Sequence, residues 1–135
     1  MRVLVCGGRH YTDREFVYRA LDFAHAQTPI TRIIHGGAWG ADALAAAWAR
    51  ERGVECTRYM AEWQKFGLGA GHIRNQRMLT EGKPDAVIAF PGGTGTAGMC
   101  RQAKKAGLDI WEPYEGEPNN KPQEKNECRS ENQAD

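Results

Sequence analysis

The stretch AVIAFPGGTGT, residues 86–96, decides the fold class of this chain. It opens with a short apolar run that stops at Pro91, which is typical of a strand buried in a parallel sheet. Glycines then make a turn, and we predict that a helix begins between Thr94 and Ala97 and runs to Gly107. A strand followed by a glycine turn and a helix is the unit from which parallel α/β sheets are built.

The same unit occurs twice on the N-terminal side of this stretch. Residues 3–6 and Ile33-Ile34 are apolar runs that stop at Gly7-Gly8 and at His35-Gly36-Gly37. We predict that both runs are strands, that residues 54–59 form a weaker strand, and that residues 108–111 form the last one.

Apolar residues recur at helical spacing between these strands. The first predicted helix is capped by Thr12 or Asp13 and ends before Pro29, and the second covers residues 41–52 and stops at Gly53. A third helix surrounds Ile73 and Met78, whereas residues 61–71 look irregular. We therefore predict an α/β fold, a Rossmann-like doubly wound sheet of about five parallel strands in the order 3-2-1-4-5, with helices on both faces.

Composition indicates one small domain. The 135 residues carry a formal net charge of +1, which argues against a dedicated nucleic-acid binder. We assign residues 1–112 to the domain and residues 113–135, which are polar and rich in Glu, Asn and Lys, to a mobile tail. The sequence contains no apolar run long enough for a signal peptide or a membrane span, so we expect a cytoplasmic location.

Cysteine and histidine spacing gives no sign of a metal site. The four cysteines, Cys6, Cys56, Cys100 and Cys128, form no Cys-x-x-Cys pair and are interpreted as reduced thiols.

Glycine loops follow the strands that end at Cys6, Ile34 and Phe90. Because parallel strands end on one edge of the sheet, the three loops are predicted to lie together where open α/β folds bind their ligands. Glycine lets a phosphate approach backbone N–H groups, and each following helix adds the positive end of its dipole. A single such loop is explained as well by a tight turn, but three on one edge favour an anion-binding cradle.

These residues also resemble a known family. The chain is similar over most of residues 1–111 to the YspA-like branch of the SLOG superfamily. The resemblance rests on residues 3–9, His35-Gly36-Gly37-Ala38-x-Gly40-Ala41-Asp42, Ala70-Gly71-x-x-Arg74-Asn75-x-x-Met78-Leu79 and Phe90-Pro91-Gly92-Gly93-Thr94-Gly95-Thr96. Relatives in the superfamily include phosphoribohydrolases that cleave the N-glycosidic bond of nucleoside monophosphates, sensor domains for nucleotide-derived signals, and a protein that holds single-stranded DNA.

The resemblance to the hydrolases implies a catalytic role for Arg74, which would hold and polarise the substrate. It also implies a glutamate two residues beyond the Gly-Thr, and that position is Gly98 here. Asp42, Glu62 or Asp13 are candidates to replace the missing carboxylate, and Asp42 is the best placed because it opens a helix on the ligand edge. Capping that helix is the more ordinary role for Asp42.

The sequence therefore predicts binding of a nucleotide or nucleotide-derived phosphate compound, by a sensor, carrier or processing domain that needs no cofactor and, by the resemblance, forms a homodimer. The alternatives are a nucleotide N-glycosidase and a single-stranded nucleic-acid binder. The predicted ligand-binding residues are Gly7, Gly8, Arg9, Gly36, Gly37, Ala38, Gly40, Asp42, Arg74, Asn75, Pro91, Gly92, Gly93, Thr94, Gly95 and Thr96.

Aromatic residues near these loops have two interpretations each. Trp39 either stacks on a base or packs over the neighbouring helix. Trp63 and Phe66 either form a wall of the cleft or anchor a long loop to the core.

Overall fold

Strands and helices alternate along residues 1–113, the part of the chain that the computed structural model describes. The predicted C-terminal tail lies outside the described residues apart from Pro113. The strands are β1 (Arg2–Cys6), β2 (Arg32–His35), β3 (Glu55–Arg58), β4 (Ala86–Ala89) and β5 (Asp109–Trp111). The helices are α1 (Arg14–Gln27), α2 (Ala41–Arg52), α3 (Trp63–Phe66), α4 (Ala70–Thr80) and α5 (Thr94–Lys105).

The strands form one parallel sheet in the order β3-β2-β1-β4-β5, which confirms the predicted fold class and strand order. The central strand is β1, where Leu4 pairs with Ile34 on one side and with Val87 on the other. All carboxyl ends therefore face one edge, and the β1–α1 and β4–α5 loops lie side by side at the point where the chain reverses its direction across the sheet.

Two hydrophobic cores lie on opposite faces of the sheet, as the doubly wound prediction requires. One core packs α1 and α2 against the sheet and includes the fully buried Trp48. The other packs Met78 of α4 and Met99 of α5 against Leu4 and Val87. Side chains of β1 alternate between the two cores, with Val3 and Val5 in the first and Leu4 in the second.

Helix boundaries follow local capping chemistry. Asp13 caps α1 by accepting a hydrogen bond from the N–H of Phe16 at 3.0 Å, and α2 covers the predicted residues and ends at Gly53. The segment expected to be irregular instead contains α3 and a 3₁₀ turn (Gly67–Gly69) that leads directly into α4. The sequence did not reveal this, because Gly67, Gly69 and Gly71 interrupt the apolar periodicity.

The described part of the chain contains neither a disulfide nor a helix able to span a membrane. Cys6, Cys56 and Cys100 form no disulfide among the described residues. Within residues 1–113, none of the helices combines the length and the hydropathy needed to cross a bilayer.

The glycine loops are joined at Gly8. Its N–H donates to the carbonyl oxygen of Pro91 at 2.8 Å, and its own carbonyl oxygen accepts from the N–H of Ala41 at 3.2 Å. Gly40 lies against the same carbonyl group with a φ of +75°, so that a Cβ at Gly40 would overlap the Gly8 oxygen. Close approach of three backbones fixes the relative positions of the loops.

Replacing Gly40 with Ala tests this junction, with Gly53→Ala as a matched control. Both glycines have a positive φ, +75° and +73°, but a Cβ at Gly53 would meet nothing within 4 Å. We expect Gly53→Ala to lower the free energy of unfolding by about 1–2 kcal/mol through backbone strain alone. Gly40→Ala should lose roughly 1–3 kcal/mol more because the methyl group overlaps Gly8. Urea denaturation measures both, and equal losses would show that the junction tolerates a side chain.

Candidate functional site

The site lies at the carboxyl edge of the sheet, where helices follow each of the three glycine loops. Asp13 caps α1, and Asp42 lies in the first turn of α2. By contrast, α5 has no side-chain cap at Gly93 and no acidic residue in its first turn. Of these three helices, α5 therefore offers the positive end of its dipole without an anion of its own.

The first turn of α5 is open. Within residues 1–113, the N–H groups of Thr94, Gly95 and Thr96 have no hydrogen-bond acceptor. A Cβ at Gly93 or Gly95 would meet nothing within 4 Å, so nothing in the described part of the chain covers this turn. Unpaired N–H groups at an open helix start are the usual protein partners of a phosphate.

Asp42 holds the β2–α2 loop and does not cap α2. Its carboxylate accepts hydrogen bonds from the N–H of Gly36 at 3.0 Å and from the N–H of Ala38 at 3.2 Å. The expectation that Asp42 caps its own helix is therefore wrong, since the N-cap is Gly40 and carries no side-chain bond. The carboxylate reaches back to the loop because that loop folds over the helix start.

Burial controls the charge of Asp42, which is only 6% exposed. Loss of water raises the pKa of Asp42 to about 6, although the two N–H donors and the nearby Arg74 act in the opposite direction. Asp42 is thus ionised at neutral pH at a cost in stability.

Arg74 clamps the same loop from the side of α4. Its Nη1 donates to the carbonyl oxygen of Gly36 at 2.7 Å, and its Nε donates to Oδ1 of Asn75 at 2.9 Å. The buried Asn75 in turn links α4 to α5, because its Nδ2 donates a hydrogen bond to Oε1 of Gln102 at 3.2 Å. Two of the five N–H donors of Arg74, and both polar side-chain atoms of Asn75, therefore have partners inside the protein.

His35 completes the support of this loop. Its buried ring accepts a hydrogen bond at Nδ1 from the N–H of Gly37 at 3.0 Å. Burial, together with the charge of Arg58, lowers the pKa of His35 to about 4, so that the ring is neutral at pH 7. The neutral ring of His35 therefore serves as a hydrogen-bond acceptor for its own loop.

Arg9 provides a positive charge at this edge of the sheet. It is exposed, and among the described residues its guanidinium has neither a hydrogen-bond acceptor nor an ion-pair partner. Its backbone lies beside Gly40, at the junction of the loops.

The other candidate carboxylates lie elsewhere. Glu62 is exposed and pairs with Lys65 and Arg77, each at 4.0 Å, and Asp13 is used as the cap of α1. A Cβ at Gly98 would have only Arg101 Nη2 near it, at 3.7 Å. Of the three proposed substitutes for the missing glutamate, Asp42 is the one whose carboxylate bonds to a glycine loop, through the N–H groups of Gly36 and Ala38.

Sequence reasoning missed two neighbours of the loops. Gln102 of α5 accepts a hydrogen bond from Asn75 of α4. The sulfur of Met60 lies so close to Gly37 that a Cβ at that position would be 2.7 Å from it. Neither position has a local sequence signal, because each contact depends on how distant elements pack. Within residues 1–113, no cluster of three or more His, Cys, Asp or Glu side chains is arranged to hold a metal ion.

A parallel α/β sheet with three glycine loops meeting at its carboxyl edge defines a Rossmann-like protein with an edge site. The chain belongs to the YspA, cpYpsA-related SLOG family, whose model matches residues 1–66. A relative described as Gene 61 protein of Mycobacterium phage D29 is 39% identical over 117 residues, which cover 81% of this chain and 93% of the relative. The family match confirms the resemblance to the YspA-like branch of the SLOG superfamily.

Burial of Asp42 predicts an unusual pH dependence of stability. Its pKa rises from 3.8 to about 6 on folding, so the folded state holds this proton more tightly than the unfolded state. The stability that comes from this more tightly held proton is fully present below about pH 4 and is lost as the pH rises through about 6. We therefore expect the free energy of unfolding of Asp42→Asn, relative to that of the unmodified protein, to rise by roughly 3 kcal/mol from about pH 4 to about pH 7. Urea denaturation at the two pH values measures this difference.

Asp22→Asn is the control for this measurement. Hydrogen bonds from Arg52 lower the pKa of Asp22. The ionised Asp22 therefore stabilises the fold at pH values above the ordinary pKa of an aspartate, and this stabilisation is lost as the pH falls. Asp22→Asn should therefore be more damaging at pH 7 than at pH 4. A pH trend of the same sign for both variants would contradict the assigned environment of Asp42.

Proposed function

We propose that this protein binds the phosphate of a nucleotide or nucleotide-derived compound between the first turn of α5 and Arg9, as a sensor, carrier or processing domain. The observation that carries the proposal is the open first turn of α5, with its N–H groups at Thr94, Gly95 and Thr96 free of any acceptor within residues 1–113. Membership in the SLOG family supports it, because that family is associated with nucleotide-related binding or processing.

The charges around the site favour an anion. The dipole of α5 places about half a positive charge at its first turn, and Arg9 adds a full one that no described side chain neutralises. Hydroxyl groups of Thr94 and Thr96 supply two further donors. A phosphate group accepts from N–H, O–H and guanidinium donors alike.

The same geometry argues for binding over hydrolysis of the glycosidic bond. Gly98 lacks the carboxylate of the related hydrolases, and Asp42 is buried and bonded to two loop amides. Arg74 already donates to Gly36 and Asn75. These groups stabilise the β2–α2 loop, and general acid or base catalysis needs a carboxyl group that reaches the substrate.

Replacing Gly95 with Asp tests the α5 turn without damaging the fold. An acidic residue in the first turn of a helix is favourable by about 0.3–1 kcal/mol, so the melting temperature should stay the same or rise. The added carboxylate repels a phosphate in the same place, and affinity for AMP, GMP, CMP and UMP should fall at least roughly tenfold. Isothermal titration calorimetry measures the affinities.

Gly95→Asn is the matched control, since it adds a side chain of the same size without the charge. It should retain most of the affinity. Equal losses in the Asp and Asn variants would contradict an anion at this turn. Steady release of free base by the unmodified protein would contradict the assignment to binding alone.

Arg9→Ala tests the second half of the phosphate site, with Arg50→Ala as its control. Both arginines are exposed, but Arg50 lies in the last turn of α2, at the opposite edge of the sheet. Loss of a charge-assisted hydrogen bond should weaken nucleotide binding by about tenfold to a hundredfold in Arg9→Ala. Arg50→Ala should bind as the unmodified protein does. A similar loss in both variants would indicate a general charge effect instead of a contact.

A further inference from the structure

Within residues 1–113, the exposed large apolar side chains fall in one part of the chain. Among the described residues, those with high exposure all fall between positions 39 and 68, in the β2–α2 loop and in the segment between β3 and α4. They are Trp39 at 81%, Met60 at 52%, Trp63 at 56%, Phe66 at 39% and Leu68 at 101%. Both segments leave the carboxyl ends of strands, so this apolar group shares the edge of the sheet with the proposed phosphate site.

Trp39 lies within the β2–α2 loop, and Trp63 lies beside α4, the helix that carries Arg74. Trp39 precedes Gly40, which lies against Gly8 and Arg9. The ring of Trp63 lies beside α4, where a Cβ at Gly71 would be 3.6 Å from Trp63 and 4.0 Å from Nη2 of Arg74.

The two tryptophans differ from Phe66, the other exposed aromatic residue of this group, in having no partner over the ring within residues 1–113. Lys65 places its ammonium 5.2 Å from the ring centre of Phe66, so that ring already has a cationic partner. Within residues 1–113, neither Trp39 nor Trp63 has an aromatic neighbour or a cation over its ring. Two exposed tryptophan rings without partners are unusual for a small domain, because each leaves a large apolar area in water.

The positions of the polar and apolar groups match the two ends of a nucleotide. The proposed phosphate donors follow β1 and β4, whereas the tryptophans follow β2 and β3, the next strands along the sheet. One to three strand spacings, roughly 5–15 Å, separate the two groups of loops. A sugar bridges a charged phosphate and a flat aromatic base over a span of this order.

We infer that Trp39 and Trp63 form a stacking site for the base of a nucleoside phosphate, which makes them the residues that select nucleotides over simple sugar phosphates. This inference rests on the proposed function, because the phosphate site supplies the other end of the ligand. Stacking needs only the flat face of the base, so all four common bases bind. No described side chain is assigned to read the base edge.

The test compares ligands with and without a base. The unmodified protein should bind AMP, GMP, CMP and UMP roughly tenfold to a hundredfold more tightly than ribose 5-phosphate, as measured by calorimetry. Trp39→Ala and Trp63→Ala should each weaken nucleotide binding by about tenfold and leave the affinity for ribose 5-phosphate unchanged. Trp39→Phe and Trp63→Tyr should retain most of the affinity, because they keep an aromatic face.

Two control variants separate this inference from the proposed function. Leu68→Ala removes a fully exposed apolar side chain and should leave all affinities unchanged, whereas Arg9→Ala should weaken the binding of nucleotides and of ribose 5-phosphate alike. Equal affinity of the unmodified protein for nucleotides and ribose 5-phosphate would overturn the stacking site and leave the phosphate site standing. Failure to bind either ligand would overturn both proposals.

Sedimentation of the same variants tests whether a second copy of the chain, instead of a base, covers this surface. If the tryptophans and Leu68 instead contact a second copy of the chain, their alanine variants should shift a dimer to a monomer without changing the ratio of nucleotide to ribose 5-phosphate affinity. That result would overturn the stacking site. An unchanged sedimentation coefficient together with a selective loss of nucleotide affinity supports it.

Discussion

The peptide group of Gly8 is the constraint on which the arrangement of the site depends. Its N–H is bonded to Pro91 and its carbonyl oxygen to the N–H of Ala41, so one residue joins the loops after β1, β2 and β4. A side chain at Gly40 would overlap that carbonyl group. Because the three loops are held by backbone contacts, their relative positions do not depend on the rotamers of flexible side chains.

Around this junction, the two halves of the edge differ in how they are supported. The β2–α2 loop is held by buried polar side chains, with Asp42 and His35 accepting from its N–H groups and Arg74 donating to its carbonyl oxygen. The first turn of α5 has no comparable support from described residues. The edge therefore combines a loop held by side-chain hydrogen bonds with a helix start whose N–H groups have no acceptor within residues 1–113.

Most of the architecture could be predicted from the sequence, because it follows from local signals. The apolar run before Pro91, the cap at Asp13 and the stop at Gly53 each act within a few residues, and the structure confirms them. The role of Asp42 could not be predicted in this way, since a carboxylate near a helix start bonds either to that helix or to the preceding loop. The bond from Asn75 to Gln102 joins residues of two different helices that are 27 positions apart in sequence, and no pattern in either helix reveals it.

The central position of β1 has a consequence for synthesis of the chain on the ribosome. Its pairing with β2 requires residues up to 34, whereas its pairing with β4 requires residues 86–89. The half of the sheet formed by β1, β2 and β3 is therefore available well before β4 has been translated. During that interval the central strand has one unpaired edge, where a growing chain is exposed to association with its neighbours.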